Sequence, residues 1–197
     1  MQHADDAQLM RLIAQGERPA FELLLERHID PLYNYALRLC GSHAQAEDLV
    51  QETWLTVWEK AHTYRSRKAG VATWLHRIVH HRFIDLTRRR SRRNEVSTTQ
   101  LDVADQATMS TPATVEPVSD AGDEAAALYA ALDSLPVEQR AAVMLRHAQG
   151  FANPQIARIM NTSTRAVESL LARGKRALRA SLNAPQTHTD PGHKSNA

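Results

Sequence analysis

Ten Lys or Arg side chains fall between residues 61 and 93 against a single acid, Asp85. Cations clustered this densely displace counterions from a nucleic-acid backbone, so polyanion binding is the first chemistry they point to. The block opens with Tyr64, Arg65, Arg67 and Lys68 ahead of Gly70, an aromatic among cations beside a flexible residue. Arg77, His80, His81, Asp85, Arg88 and Arg89 follow at helical spacing, and the block closes on the run Arg88 to Arg93. A second basic block lies near the other end, with nine Lys or Arg against three acids over residues 137–197. There Arg165, Glu168 and Ser169 precede Arg173, Lys175 and Arg176. Polar groups early in a helix with cations farther along are what a recognition helix needs to reach base edges and then phosphates.

Covalent catalysis has no comparable signature. The polar residues show no metal-ligand spacing, nucleophile elbow or phosphate loop. His76 and His80 stand one helical turn apart, but no Cys or convincing carboxylate ligand accompanies them, so no metal and no cofactor is expected. Cys40, the single cysteine, excludes an internal disulfide and sits in an apolar helical pattern, where a buried structural thiol is expected. The chain reads as a binding protein and not an enzyme.

The elements that must position these groups are helices. A length of 197 residues, 43% hydrophobic and 5% aromatic residues, 7 Gly and 8 Pro fit two small all-α modules better than one large core or a β architecture. Acidic stretches separate the basic blocks: net −5 over residues 1–60 and −8 over residues 94–136. The opening MQHADDAQLM lacks a basic start followed by an apolar run, and no stretch has the length of a membrane span, so a cytoplasmic protein without membrane insertion is expected.

Phe21, Leu24, Leu25, His28, Leu32, Tyr35, Ala36 and Leu39 recur at helical spacing from about residue 8 or 19, and Asp30-Pro31 predicts a kink or restart. Gly41 ends that helix. Ser42-His43-Ala44-Gln45 has the form of a capping box and opens a helix through about Lys60. One stripe of it is core, with Ala46, Leu49, Val50, Thr53 and Val57; another carries Asp48, Gln51, Glu52, Leu55 and Glu59. Thr73 is placed to cap a helix whose core side holds Leu75, Ile78, Val79, Arg82 or Phe83, and Leu86. Arg77, His80, His81, Asp85 and Arg88 are left outward. Residues 94–122, rich in Ser, Thr, Ala, Asp and Pro, read as a flexible linker. Beyond it, Pro136 starts a helix that ends at Gln149-Gly150, and Asn153-Pro154 opens a short helix with Ile156, Ala157 and Met160 inward. Asn161-Thr162-Ser163 forms a turn, and Ser163 caps a longer helix packing through Val167, Leu170 or Leu171, Gly174 and Leu178. The tail after Asn183 reads as unstructured.

Asp48 to Trp58, read as DLVQETWLTVW, resembles the core-binding helix in the second conserved region of bacterial sigma factors. Thr73 to Arg90 resembles that family's helix for the minus-ten promoter element. Leu135 to Arg140 and Ala166 to Arg179 resemble its fourth region, which reads the minus-thirty-five element. The resemblance is to the small extracytoplasmic-function group, and it implies residues 8–93 as region 2, 94–122 as a linker, 123–183 as region 4 and 184–197 as a tail. By the same likeness Asp48, Gln51, Glu52 and Leu55 would dock on core RNA polymerase. Tyr64, Arg65, Arg67, Lys68, Arg77, His80, His81, Asp85, Arg88 and Arg89 would engage minus-ten DNA, with the loop from Tyr64 to Ala72 capturing a flipped base. Arg165, Glu168, Ser169, Arg173, Lys175 and Arg176 would engage minus-thirty-five DNA. The acidic linker would thread the polymerase channels and mimic RNA, and an anti-sigma factor would be a further partner. His81 stands where relatives commonly carry Asn, and Val71 where they carry an aromatic. A stand-alone helix-turn-helix regulator leaves Asp48 to Trp58 unexplained.

Overall fold

A computed structural model of the chain describes residues 4–67, 69–98 and 123–183, and among these every regular element is helical. The expected linker from residue 99 and the tail from residue 184 lie outside the described residues. The first module holds α1 (Asp6–Ile13), α2 (Arg18–Cys40), α3 (His43–Lys60), a 3-10 turn (Ala61–Thr63) and α4 (Val71–Thr98). The second holds α5 (Asp123–Asp133), α6 (Val137–Val143) continuing into a π turn (Met144–Ala148), α7 (Asn153–Met160) and α8 (Thr164–Asn183).

The first periodic stretch is two helices, divided at Gly16, whose φ of 89° suits a residue without a Cβ. Asp5 and Gln8 cap α1 reciprocally: the Gln8 N–H donates to Asp5 Oδ1 at 2.6 Å and the Asp5 N–H donates to Gln8 Oε1 at 3.1 Å. Arg27 donates to Ala4 O and Asp6 Oδ1, both at 2.9 Å, while His28 Nε2 lies 2.7 Å from Asp6 Oδ2. Burial alone would raise the Asp6 carboxyl, but the bonds and charges of His28 and Arg27 outweigh it and hold the group below its ordinary range. This cluster lays α1 along α2.

Of the kink or restart expected at Pro31, the restart does not occur. It runs through as one helix with Leu24, Leu32, Tyr35, Ala36 and Leu39 all buried on both sides of the proline. Pro in a helix interior costs roughly 3 kcal/mol, and fully burying each large apolar side chain returns about 1.5–3 kcal/mol, so continuity wins. Gly41, in the left-handed region at φ 67°, closes the helix with its N–H on Leu37 O at 2.8 Å.

Three other starts also differ. Ser42 holds the N-cap position of α3 in an extended conformation but makes no side-chain capping bond. Helix α4 begins at Val71, whose buried side chain anchors the first turn, so Thr73 lies inside the helix and is itself buried. It also continues to Thr98, into the stretch read as linker. At α7 the cap position is Ala152, and Asn153 is the first helical residue. Gln155 Oε1 reaches back to accept the Ala152 N–H at 2.9 Å. Two signals of the helix-turn-helix hold: Asn161 is left-handed at φ 52°, and Ser163 Oγ accepts the Ala166 N–H at 3.1 Å, opening α8.

His80 is not outward. It is 4% exposed, with Nδ1 sharing a 3.0 Å hydrogen bond with the Tyr35 hydroxyl across α2 and α4. His76 is buried beside it, donating from Nδ1 to Ala72 O at 2.8 Å and packing edge-on to Phe151 of the second module at 4.8 Å. Burial brings His76 down to about 4, against the Ala72 carbonyl and the Gln149 side chain, and brings His80 down to about 4 with the help of His81. A neutral imidazole with a polar partner is cheaper to bury than an arginine, which is why these two positions turn inward while Arg77 stays out.

Further links join the modules. Arg140, buried and paired with Asp133 Oδ1 at 3.2 Å, donates to Leu39 O at 3.2 Å, and Gln149 Nε2 donates to Pro31 O at 3.3 Å. The Arg38 guanidinium lies 3.4 Å from the Tyr129 ring centre. Within the second module, α6 meets α8 at Gly174, where a Cβ would stand 2.9 Å from Val143 Cγ2.

Gly174→Val should therefore destabilise the chain by about 2 kcal/mol, the usual scale for overpacking, with Val143→Ala in the same chain recovering part of it in denaturant titrations followed by circular dichroism. The histidines give a second prediction. An unfolded imidazole takes up its proton near 6.5, while the folded His76 and His80 do so only near 4. Stability should be full above about pH 6.5, fall as pH drops toward 4, and level off below, with each histidine contributing about 3 kcal/mol at most. Urea midpoints of the wild type should fall as pH drops over that range, whereas those of His76→Gln/His80→Gln, which has no imidazole to protonate at either position, should stay nearly flat.

Candidate polymerase and promoter interfaces

Helix α3 presents one strip to solvent. At about 100° per residue, Gln51, Leu55, Asp48, Glu59 and Glu52 lie side by side, and all are exposed. Leu55 is 58% exposed, unusual for a leucine beside a packed core, and Trp58 on the next turn is 39% exposed. Both border a groove of about 530 Å³ between α2 and α3, floored by Phe21, Leu25, Ile29, Val50 and Trp54. Phe21 stands edge-on to Trp54 and Trp58 at 5.7 and 5.3 Å, an arrangement aromatic rings favour. Threonines inside the helix satisfy themselves locally, Thr53 Oγ1 on Leu49 O at 2.8 Å and Thr56 Oγ1 on Glu52 O at 2.9 Å. An apolar groove with an acidic and amide rim is suited to receiving a basic or amphipathic helix. The groove residues on α2 were not singled out by the sequence reading, because a partly buried Phe21 or Leu25 has the same spacing as a core residue.

The basic loop is held by its own side chains. Tyr64 OH donates to Ala69 O at 3.0 Å and its ring meets Trp74 edge-on at 5.7 Å, while Arg65 Nη1 donates to His62 O at 2.7 Å and to Tyr64 O at 3.1 Å. Burial, with Asp6 and Asp5 nearby, raises the Tyr64 hydroxyl above its ordinary range, so the ring is a neutral stacking surface. Tyr64, Arg65, Thr73, Trp74 and Arg77 line a recess of about 390 Å³, and Arg158 of α7 stands at its edge. A second recess of about 410 Å³ on the other side of Trp74 holds Lys60, Arg77, His81, Arg82 and Asp85. Arg77 is common to both. His81 is half-buried; burial and Arg77 lower its imidazole, opposed by the Ile159 carbonyl and Asp85. Arg67, Arg88 and Arg89 are exposed, and Lys68 lies outside the described residues. His80, expected among the DNA-facing residues, points instead to Tyr35 and reaches neither recess.

In the second module α7, the Asn161 turn and α8 form a helix-turn-helix. Val167, Leu170 and Gly174 bury one side of α8, and Arg165, Glu168, Ser169, Arg173, Lys175 and Arg176 are all exposed. Arg165, Glu168, Ser169 and Arg176 fall on one face, with Arg173 and Lys175 on its flanks. Arg173 Nε donates to Ser169 O at 3.4 Å. As arranged, α7 packs against α4, so the two basic elements belong to one folded body.

Among the described residues no three His, Cys, Asp or Glu side chains are grouped to hold a metal, and no helix is long and apolar enough to cross a membrane. Residues 24–93 match the family model of Sigma-70 region 2, and residues 125–178 match that of Sigma-70, region 4. The chain is 35% identical over 176 residues to the ECF RNA polymerase sigma factor SigE of Mycolicibacterium smegmatis, covering 89% of this chain and 66% of that protein. It is 32% identical over 169 residues to the ECF RNA polymerase sigma factor SigL of Mycobacterium tuberculosis, covering 86% of this chain and 92% of that protein. Among solved structures, the sigma factor RpoE in complex with the anti-sigma factor NepR from Bartonella quintana superposes with a TM-score of 0.68 at 25% identity, over 84% of this chain and 98% of that one. CnrH in complex with the cytosolic domain of CnrY superposes with a TM-score of 0.65 at 24% identity, over 91% of this chain and 98% of that one, a likeness of fold. Two region matches in the right order, on the two helical modules that carry the basic recesses and the helix-turn-helix, make this chain a member of the ECF group of sigma-70-family RNA polymerase sigma factors.

Proposed function

We propose that the chain works as a two-handed adaptor in the cytoplasm: α3 docks on core RNA polymerase, α4 and the basic loop hold the melted minus-ten strand, and α8 reads the upstream duplex. The observation that carries the docking reading is the exposed Asp48, Gln51, Glu52 and Leu55 strip beside the open α2/α3 groove. A helix with an acidic rim and exposed leucine recruits a partner both by steering and by burial. Reaction chemistry belongs to the polymerase, and the chain supplies position.

For the promoter, the recess between Tyr64, Trp74 and Arg77 has the parts needed to hold an unstacked base: a neutral aromatic edge, a second ring behind it and a cation at the mouth. Stacking of this kind contributes about 1–3 kcal/mol per base, enough to offset the few kcal/mol of flipping. His81, Arg77 and Asp85 around the neighbouring recess, with Arg88 and Arg89 beyond, extend the track along the strand. His80 has no direct part in it; it sets the seat of α4 on α2. On α8, Arg165, Glu168 and Ser169 are the base-directed set, and Arg173, Lys175 and Arg176 the phosphate-directed set.

The solved RpoE and CnrH chains superpose on this one in the presence of NepR and of the CnrY cytosolic domain. An anti-sigma partner that covers the groove and acidic strip of α3 would keep this chain from polymerase until an envelope or stress signal releases it.

Reconstituted transcription tests the assignment. Core polymerase should initiate from a shared two-part motif in a promoter library only when the intact chain is added, and Asp48→Ala/Gln51→Ala/Glu52→Ala should abolish it while leaving the circular dichroism melt in place. Tight duplex binding by the free chain with no gain of initiation would replace the reading with a stand-alone regulator. Arg176→Ala should weaken upstream-element binding uniformly across sequences and reduce the salt slope by about 1, read from holoenzyme binding at several salt concentrations.

A further inference from the structure

Helical spacing offers either Arg82 or Phe83 to the core of the first module. Phe83 is the one buried, and Arg82 turns across to α3. Its Nη1 donates to the Glu52 carboxylate, and its Nη2 donates to Thr56 Oγ1 at 2.5 Å. Thr56 Oγ1 in turn donates to the Glu52 carbonyl at 2.9 Å, so one guanidinium spans a full turn of α3 from α4. The planar fork of arginine fixes the direction of both bonds, which a lysine ammonium would not do.

The location gives the contact its meaning. Glu52 closes the exposed strip of α3 on the side facing α4, and its side chain keeps 52% of its surface in solvent while bonded. An exposed pair of this kind adds little to folding stability. What it does change is the freedom of the glutamate: held by Arg82, its carboxylate points one way before any partner arrives, and the ordering entropy of that side chain is lost on folding and not on docking. We propose that Arg82 is a positioning residue for polymerase docking, acting through Glu52 and tying the docking helix to the promoter helix. This rests on the reading of α3 as the polymerase-docking face.

The test is a double-mutant cycle on the full chain, with affinity for core polymerase read by fluorescence anisotropy and folding by thermal melts. Arg82→Ala should weaken docking by about 5-fold, the upper range for a single solvent-exposed ion pair, and Arg82→Lys should restore it only in part. In a Glu52→Ala background, Arg82→Ala should have no further effect. Full docking by Arg82→Ala alongside weakened docking by Glu52→Ala would overturn the proposal and leave the docking face standing. Additive losses would mean that Arg82 touches polymerase itself, which also overturns it. Unchanged docking by Glu52→Ala would remove the docking reading and the proposal with it. If Arg82→Ala lowers the melting temperature, Arg82→Gln, which keeps the stem and a donor, replaces it in the cycle, judged by the same additivity.

Discussion

Helix α2 is the support for almost everything else in the molecule. Over 23 residues it buries Leu24 and Leu32 on either side of Pro31, and it offers Tyr35, Ala36 and Leu39 to the same core. Helix α1 is pinned to it through Asp6, Arg27 and His28; α3 and α4 pack along it; and Leu39 and Pro31 lend their carbonyls to Arg140 and Gln149 of the second module. A break at the proline would have swung the Tyr35 half away from the Leu24 half and divided that surface. The burial gained by keeping it whole exceeds the local cost of the proline, and the remaining helices inherit their places from that outcome.

One consequence appears at α4. With Tyr35 held under it, the helix is rotated so that Leu75, Val79 and Phe83 face the core and His76 and His80 are buried beside them, where each finds a polar partner and stays neutral. That rotation presents Arg77, Asp85, Arg88 and Arg89 to solvent and swings Arg82 toward α3. The exposed strip of α3 and the recesses beside α4 are therefore two outputs of one packing solution. Arg82 links them, bonding Glu52 of the strip while lining one recess, so a shift of α4 on α2 would be felt at both.

A second consequence is the seat of the helix-turn-helix. Phe151 meets His76, Arg158 borders the Tyr64 recess, and Gln149 reaches Pro31, so the second module rests on α2 and α4 of the first. Its own interior depends on Gly174, where α8 approaches α6 too closely for a side chain. The exposed row from Arg165 to Arg176 on α8 is left clear of that contact.

Much of this was legible in the sequence, because the signals concerned are local. The two stripes of α3, the Asn161 turn, the Ser163 cap and the apolar row Val167, Leu170 or Leu171, and Gly174 follow from a 3.6-residue period and from the chemistry of single residues, which no distant neighbour overrides. The alternation of acidic and basic blocks is a property of composition and needs no fold. What the sequence could not settle was any choice between two locally equal options. Asp30-Pro31 is a fair helix start or a tolerated interior proline; Thr73 is a fair cap or a buried first-turn residue; His80 is a fair surface histidine or a partner for a tyrosine 45 positions away. In each case the local preference is worth at most about 3 kcal/mol, the cost of the interior proline, and the burial supplied by elements far along the chain is larger. The periodicity of a helix is written in its own residues, but which polar residue on its margin turns inward is decided by the surface it meets, and that surface exists only once the chain has folded.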